Sequence, residues 1–569
     1  MKLSDEQKAV ISAPLQPMAV TACAGSGKTA TAIRRLIAIR EQLADHRGRV
    51  VLLSFSNVAV NTFNKGYAEL ASGLPDDANR KRVEVDTLDG FFTQHVLRPH
   101  AYRTMGAKQT AYLVSGSEPF LNSFQYWKSK TERPIPIKDV QVGLANGKSM
   151  FFIDTHGATE QLDRGKAIDL IEKLGRTGAY THDLGRYWVI RTLLNQPAIL
   201  RALATRYPHV LVDESQDLGT MHKVTLELLI KAGVQVSLIG DVNQGIFAFA
   251  GADGIFLKNY ADREGVKDYR LTRNYRSLPP IIDIANRLCG RHDEPDRQAG
   301  QGGAFFVGYK DAEIPKLLST FKGCIGELGI EATDAVILSR GTERAAKLAG
   351  KSAAPGQGVV KLFAEASLAR DQLHRYQDAY RLVCSAVVSL IEDAPPGLGS
   401  ALQGSPQDGW MLKLRRLLWA FTRNADNGLP SSSLQAKVEW HPKLVANLRT
   451  LLAQIDQRFG LTTVATFGNM MAKKRLEDVA LNGAKAESHG LRVETVHQVK
   501  GESIGAVLYV ATKANIIALL DGTATEEGRI GYVALTRAKN LFWLAVPNSC
   551  LGAVRTDLIN AGFVEVPAR

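Results

Sequence analysis

Eight consecutive residues, Ala22-Cys23-Ala24-Gly25-Ser26-Gly27-Lys28-Thr29, carry the densest chemical signal in this sequence. They fit a P-loop closely, with Ala22 at its first glycine position. Small residues let backbone N–H groups wrap phosphates, and the helix that follows points its positive end at them. Lys28 is expected to reach the β- and γ-phosphates of ATP, and the Thr29 hydroxyl to ligate Mg²⁺. A second cluster closes the apolar run Val210-Leu211-Val212 with Asp213 and Glu214. Hydrolysis needs such a pair: Asp213 to hold Mg²⁺, and Glu214 to take a proton from the attacking water. Two acids after a strand are more often a solvated loop, but at this chain distance from a P-loop the functional reading prevails. Hydrolysis also needs positive charge on the γ-phosphate. Arg276 and Arg537 both sit in strand-to-helix contexts, yet a lone arginine is usually a surface residue, so the residues alone leave their roles open.

Elements must hold these groups in place. Short apolar runs start at Met18, Val50, His209 and Val234, each ending in small or polar residues. Without polar alternation they suit strands of a parallel sheet covered on both faces. Helical patterns lie between them, at Thr29–Leu43 and Met221–Ile230. A second series follows Pro280: AFFVGY, DAVILSR, LRVETVH, AVLYVAT and LFWLAVP. The expected fold class is therefore α/β, with two doubly wound sheets whose loops at strand C-terminal ends bind ligands. Two stretches interrupt the pattern, residues 100–205 and 341–490. Both read as helical and loop-rich, the second with a helix candidate at Leu373–Ile391 and a Pro/Gly-rich loop at 393–409.

Composition narrows the partner. Among 569 residues, 70 Lys and Arg face 57 Asp and Glu, a net charge of +13. That favours a polyanion, nucleic acid before membrane. The five cysteines (23, 289, 324, 384, 550) are scattered, which excludes a zinc site or disulfide framework by spacing and points to a reducing cytoplasm. No apolar run approaches ~18 residues, and the N-terminus lacks a signal-peptide core.

Further motifs resemble the UvrD/Rep-like helicases of superfamily 1A, in that family's order. Leu3-Ser-Asp-Glu-Gln7 is similar to the Q motif, and Leu53-Ser-Phe55-Ser-Asn57 to motif Ia. Asp213-Glu214-Ser-Gln-Asp217 matches motif II, and Gly240-Asp-Val-Asn-Gln244-Gly-Ile-Phe247-Ala-Phe249 motif III. Leu271-Thr-Arg-Asn-Tyr275-Arg276-Ser resembles motif IV, Glu494-Thr-Val-His497-Gln-Val-Lys500-Gly-Glu502 motif V, and Glu526 to Ala538 motif VI. The resemblance implies two RecA-like domains, 1A (1–99 and 206–280) and 2A (281–340 and 491–569), with largely helical inserted accessory domains 1B (100–205) and 2B (341–490). It implies Gln7 and Tyr275 on adenine, Gln244 sensing the γ-phosphate, Arg276 and Arg537 as arginine fingers, and Glu502 toward the ribose. It also implies Phe55, Asn57, Thr87, Phe247, Phe249 and His497 against single-stranded DNA, and 3′-to-5′ movement. Stacking on such aromatics would contribute ~1–3 kcal/mol per base and tolerate any sequence.

Three positions depart from the family pattern. Ala250 replaces an arginine after the second aromatic of motif III, Asp89-Gly90 replaces His-Ser in motif Ib after Thr87, and Lys500-Gly501-Glu502-Ser503 implies a ribose-binding acid that is one residue early or absent. Asp86-Thr-Leu-Asp-Gly-Phe-Phe92 and Val96-Leu-Arg-Pro99 resemble the helicase-like subunit of Gabija anti-phage systems. That resemblance implies a partner nuclease of the OLD family, with a Toprim active site, in a hetero-oligomer. The alternative is a stand-alone 3′–5′ repair helicase. A small-molecule P-loop kinase or switch GTPase has no need of motifs IV to VI, and no acidic nuclease cluster stands out beyond the ATP site.

Overall fold

The computed structural model describes every residue except 1–2, 44–47, 72–81, 115, 117, 130–131, 146, 156–157, 248–250, 252–253, 350–355, 396, 405–407, 474–475, 477, 482–489 and 567–569. The chain divides into two compact units, one of residues 1–92, 196–349 and 488–569, the other of residues 93–195 and 350–487. Among the described residues no helix is long and apolar enough to cross a membrane.

The first unit contains two six-stranded sheets. In the first, strands β1 (Met18–Ala22), β2 (Val50–Ser54), β3 (Val83–Thr87), β4 (His209–Val212), β5 (Gln235–Gly240) and β6 (Lys267–Leu271) lie in the order β6-β1-β5-β4-β2-β3. Every pairing is parallel. The register sets Thr21 beside Gly240, and Val212 beside both Leu238 and Leu53. The loops after β1, β4 and β5 therefore leave from one edge, with β5 alone between the P-loop strand and the Asp213 strand. At ~4.8 Å per strand spacing, that brings the two loops to about 10 Å.

Helices α1 (Asp5–Ser12), α2 (Lys28–Gln42), α3 (Asn57–Ala71) and α4 (Thr220–Lys231) cover this sheet. Val10, Val20, Leu36, Leu52, Phe63 and Ile239 meet in its core. Because both faces are covered, all five residues of β2 are buried, which is why the run reads apolar without alternation.

The second sheet repeats the design with β7 (Gly303–Tyr309), β8 (Ala335–Ser339), β9 (Arg492–Thr495), β10 (Ile504–Val510), β11 (Ala538–Pro547) and β12 (Val564–Glu565) in the order β9-β8-β10-β11-β7-β12. Helices α5 (Pro279–Cys289) and α6 (Glu526–Arg537) belong to this half. Ile281, Phe306, Val507, Tyr532 and Phe542 fill one face, and Phe321, Ile337, Leu508 and Trp543 the other.

The second unit is mainly helical, with helices at Arg164–Arg176, His182–Asn195, Gly358–Asp371, Tyr376–Val388, Gly409–Arg423 and His441–Phe459. The helix expected over 373–391 is shorter at both ends, and His374 before it takes a φ of +52°. Residues 141–161 differ from the helical and loop-rich reading. Gln141–Ala145, Lys148–Thr155 and Ala158–Gln161 form a three-stranded antiparallel sheet. The sequence signal was Asn-Gly at 146–147, a hairpin dipeptide, and Gly147 has the φ of +72° that such a turn demands.

Candidate nucleotide and nucleic-acid site

The P-loop begins where β1 ends. Gly25 and Gly27 take φ values of +74° and +75°, which favour glycine. A Cβ at Gly25 would stand 2.6 Å from both Arg276 Cβ and Asn274 Oδ1, so this loop packs against the turn that follows β6. Backbone bonds fix the contact: Tyr275 N–H donates to the Gly25 carbonyl at 2.9 Å, and Cys23 N–H to the Leu271 carbonyl at 2.8 Å. Helix α2 starts at Lys28 with Gly27 as N-cap and no side chain on its first N–H groups. Those donors suit an anion. Ala22, Cys23, Ala24 and Ser26 are buried. Burial pushes the Cys23 thiol up, so it stays protonated and acts as a small apolar filler.

Gln7 joins from α1. Its side chain closes a capping box with Ser4, and its Nε2 donates to the Ser26 carbonyl at 3.1 Å. The buried glutamine thus ties α1 to the loop. Glu6 beside it accepts from the Thr272 N–H and hydroxyl at 2.8 and 2.7 Å, pinning the same helix to the end of β6.

The acids emerge from β4. Lys28 Nζ lies 3.6 Å from Glu214 Oε2. Glu214 sits at φ +51°, a strained conformation for a non-glycine residue, and accepts from Gln216 Nε2 at 2.6 Å. Burial pushes the Glu214 carboxyl up, but Lys28, Lys500 and Arg537 outweigh it and hold the group below the usual range. Burial and the adjacent Glu214 push Asp213 the other way. Asp213 Oδ1 and Ser26 Oγ are buried with no hydrogen-bond partner. Such atoms cost about 1–3 kcal/mol each. A Mg²⁺ ion and a nucleotide would relieve both, so the residues fit the group. Among the described residues no cluster of three or more His, Cys, Asp or Glu could hold a metal.

The second sheet completes the cluster. Arg537, buried at the end of α6, donates Nη2 to Gln244 Oε1 at 2.8 Å and Nη1 to the Glu502 carbonyl at 3.2 Å. Gln244 Nε2 in turn donates to Asp241 Oδ2 at 2.8 Å. Arg276 donates Nη1 to the Thr536 carbonyl at 2.9 Å, while its Nε is buried without a partner. Burial and then Arg537 push its guanidinium down to about 9.

Several residues here escaped the sequence reading. Lys500 Nζ sits 2.6 Å from both Asp217 oxygens and from the Gln244 carbonyl, and 4.8 Å from the centre of the Phe247 ring. Arg291 bridges Asp241 and Asp293 and donates to the Ala22 carbonyl at 3.1 Å. Arg529 donates to the Gly245 carbonyl. Lys500 and Arg529 lay within quoted motifs, but nothing in the sequence gave their partners, and Arg291 carried no signal.

The residues expected on DNA fall into two groups. Phe55, Asn57 and Thr87 lie at the C-terminal ends of β2 and β3. The Phe55 ring meets His222 edge-on at 5.7 Å, and His222 Nε2 is 2.9 Å from Asp89 Oδ1. The acid at the departing position is thus paired with a histidine. Phe247 meets His497 at 5.7 Å, and His497 Nε2 donates to the Ile246 carbonyl at 3.1 Å. Phe249 and the departure at Ala250 lie outside the described residues. The Glu502 carboxylate is held by Arg492 at 2.7 and 2.8 Å, so it joins the cluster only through its backbone carbonyl.

Residues 3–154 and 156–263 match the UvrD/REP helicase N-terminal domain. The chain is 26% identical over 308 residues to DNA helicase II of Salmonella typhimurium, with 50% of this chain and 40% of the relative covered. Identity is 24% over 306 residues to DNA helicase II of Escherichia coli, covering 50% and 40%. Against ATP-dependent DNA helicase UvrD2 of Mycobacterium tuberculosis it is 21% over 318 residues, covering 50% and 43%. The matched stretch spans less than half the length of these curated relatives.

Proposed function

We propose that this chain, whose residues 3–154 and 156–263 match the UvrD/REP helicase N-terminal domain, is an ATP-driven DNA motor of the helicase kind. The observation that carries the reading is the Arg537–Gln244 contact. It sets an arginine of the second sheet beside the P-loop and acidic loops of the first. In this reading Lys28 and the N-terminus of α2 bind the phosphates, and Thr29 with Asp213 would hold Mg²⁺. Bound Mg²⁺ supplies Lewis-acid neutralisation of phosphate charge. Glu214, kept ionised by Lys28, takes the proton of the attacking water, and Arg276 and Arg537 stabilise the charge that develops. Gln244 reports the state of that site to Arg537. Gln7 and Tyr275 flank the base, and Glu502 orients Arg537 through its carbonyl.

The domain reading follows: 1A at 1–99 and 206–280, 2A at 281–340 and 491–569, with 1B at 100–205 and 2B at 341–490 as accessory insertions. Single-stranded DNA runs over Phe55, Asn57, Thr87, Phe247, Phe249 and His497, moving 3′ to 5′. At the finer level the chain is the helicase-like subunit of a Gabija-type anti-phage complex in the bacterial cytoplasm, assembled with an OLD-family Toprim nuclease. The segments at 86–92 and 96–99 and the early motif V acid support that reading.

The test is ATP turnover of the purified chain without DNA, with single-stranded DNA and with blunt duplex, beside a strand-displacement assay. DNA-stimulated turnover with little unwinding supports the nuclease subunit. Robust unwinding by the chain alone supports the stand-alone repair helicase. Absence of ATP turnover in every condition overturns the motor reading.

A further inference from the structure

The mainly helical unit contains a cavity of about 1080 Å³ lined from helices Tyr376–Val388 and Gly409–Arg423. Arg415, Arg416, Trp419 and Arg423 recur at helical spacing on one face of the second helix, while Leu414, Leu418 and Phe421 bury the opposite face. Tyr380 and Arg381 line it from the first helix. Among the described residues none lining the cavity is acidic, although Arg381 has Asp378 at 3.6 Å.

Two groups in the cavity are fixed. Trp419 meets Tyr380 edge-on with ring centres 4.9 Å apart, and the Tyr380 hydroxyl donates to the Leu402 carbonyl at 3.0 Å. Arg415 donates to the Gly404 carbonyl, which holds its guanidinium at the cavity wall. Arg381, Arg416 and Arg423 are exposed, and Arg415 and Trp419 half-buried, along the same concave wall, so four like charges share one space that an anion would suit. Planar guanidinium forks match phosphate oxygens, and a tryptophan face accepts any base.

We propose that this cavity is a nucleoside-phosphate site, separate from the P-loop and independent of how that site is read. Arg416 and Arg423 grip the phosphate while Trp419 stacks on the base. The ligand is either a free nucleotide or one nucleotide of a DNA strand.

The probes are thymidine 5′-monophosphate, which lacks the phosphates a P-loop grips, and oligothymidylate. Both are titrated against the full chain, the double variant Arg416→Ala/Arg423→Ala, and Trp419→Leu beside Trp419→Phe. Basal ATP turnover without DNA checks that each variant is folded, and repeating the titrations with Lys28→Ala separates this site from the nucleotide pocket. A monophosphate that binds wild type and weakens at least tenfold in the double variant identifies a free nucleotide. If only oligothymidylate weakens, and the slope of log affinity against log salt falls by about 1.4 for two lost single-strand contacts, the source is a strand. Trp419→Phe retains more binding than Trp419→Leu in either case. Binding of both probes unchanged within twofold in the double variant overturns the site.

Discussion

The Lys500 ammonium stands 2.6 Å from each carboxylate oxygen of Asp217, with both side chains almost wholly buried. One cation from the second sheet's half thus holds an acid of the first, three residues beyond Glu214. Removing one member of a buried pair costs about 3–5 kcal/mol, because the other charge is left without compensation. Lys500→Met is therefore expected to lower thermal stability and DNA-stimulated ATP turnover together. Lys500→Met/Asp217→Leu should recover part of the stability. A double-mutant cycle by thermal denaturation reads this as a coupling of at least about 1 kcal/mol. Additive losses would mean that the two residues act separately.

The two catalytic assignments on the first sheet separate by what each variant keeps. Lys28→Ala is expected to cut ATP turnover at least a hundredfold with an unchanged melting curve, since Lys28 faces Glu214 and the loop. Turnover within threefold of wild type would sink the P-loop reading. Glu214→Gln should still bind ATP, measured by filter retention, while turnover stalls. Loss of binding would assign Glu214 a structural role.

Gly25 offers a steric test. An alanine there would need φ near +74° and a Cβ 2.6 Å from Arg276 Cβ. Gly25→Ala should abolish ATP turnover and displace the β6–α5 turn, visible as faster proteolysis of that segment. Normal kinetics would show that loop and turn do not touch in solution.

Asp293 gives a pH dependence. Burial pushes its carboxyl from 3.8 up to about 6, against the pull of Arg291 at 3.1 Å. The folded state then holds a proton that the unfolded chain has released. Stability from this group is full below about pH 4 and lost as pH rises through about 6. The melting-temperature advantage of wild type over Asp293→Asn should therefore be larger near pH 4.5 than near pH 7.5. An advantage that grows with pH would mean that the Arg291 ion pair dominates.

Much of this arrangement was readable in the sequence, for physical reasons that also mark where reading stops. Strands β1, β2, β4, β5, β7, β8, β10 and β11 announce themselves because parallel strands covered on both faces stay largely apolar, whereas β9 is an edge strand carrying Arg492 and Glu494. Strands β3 and β6 are edge strands carrying Glu84, Asp86, Lys267 and Arg270, so their runs look like loops. The short hairpins at 141–161 carried a signal, Asn-Gly at 146–147 before the apolar run 150–153, inside a stretch whose other elements are helices and loops. The closeness of Lys28 to Glu214, 3.6 Å in the fold, was legible from motif spacing, since loops at neighbouring strand ends build it. The meetings of Lys500 with Asp217, and of His222 with Asp89, were not, because each pair joins residues far apart in the chain whose meeting only the fold determines.

In the proposed motor, the second sheet completes the ATP site through Arg537. The most direct test is ATP turnover with saturating oligothymidylate for wild type and Arg537→Ala, together with ATP affinity for both. The account predicts DNA-stimulated turnover in wild type, a fall of ~10³-fold or more in the variant, and ATP binding retained. Turnover in Arg537→Ala within threefold of wild type would contradict it.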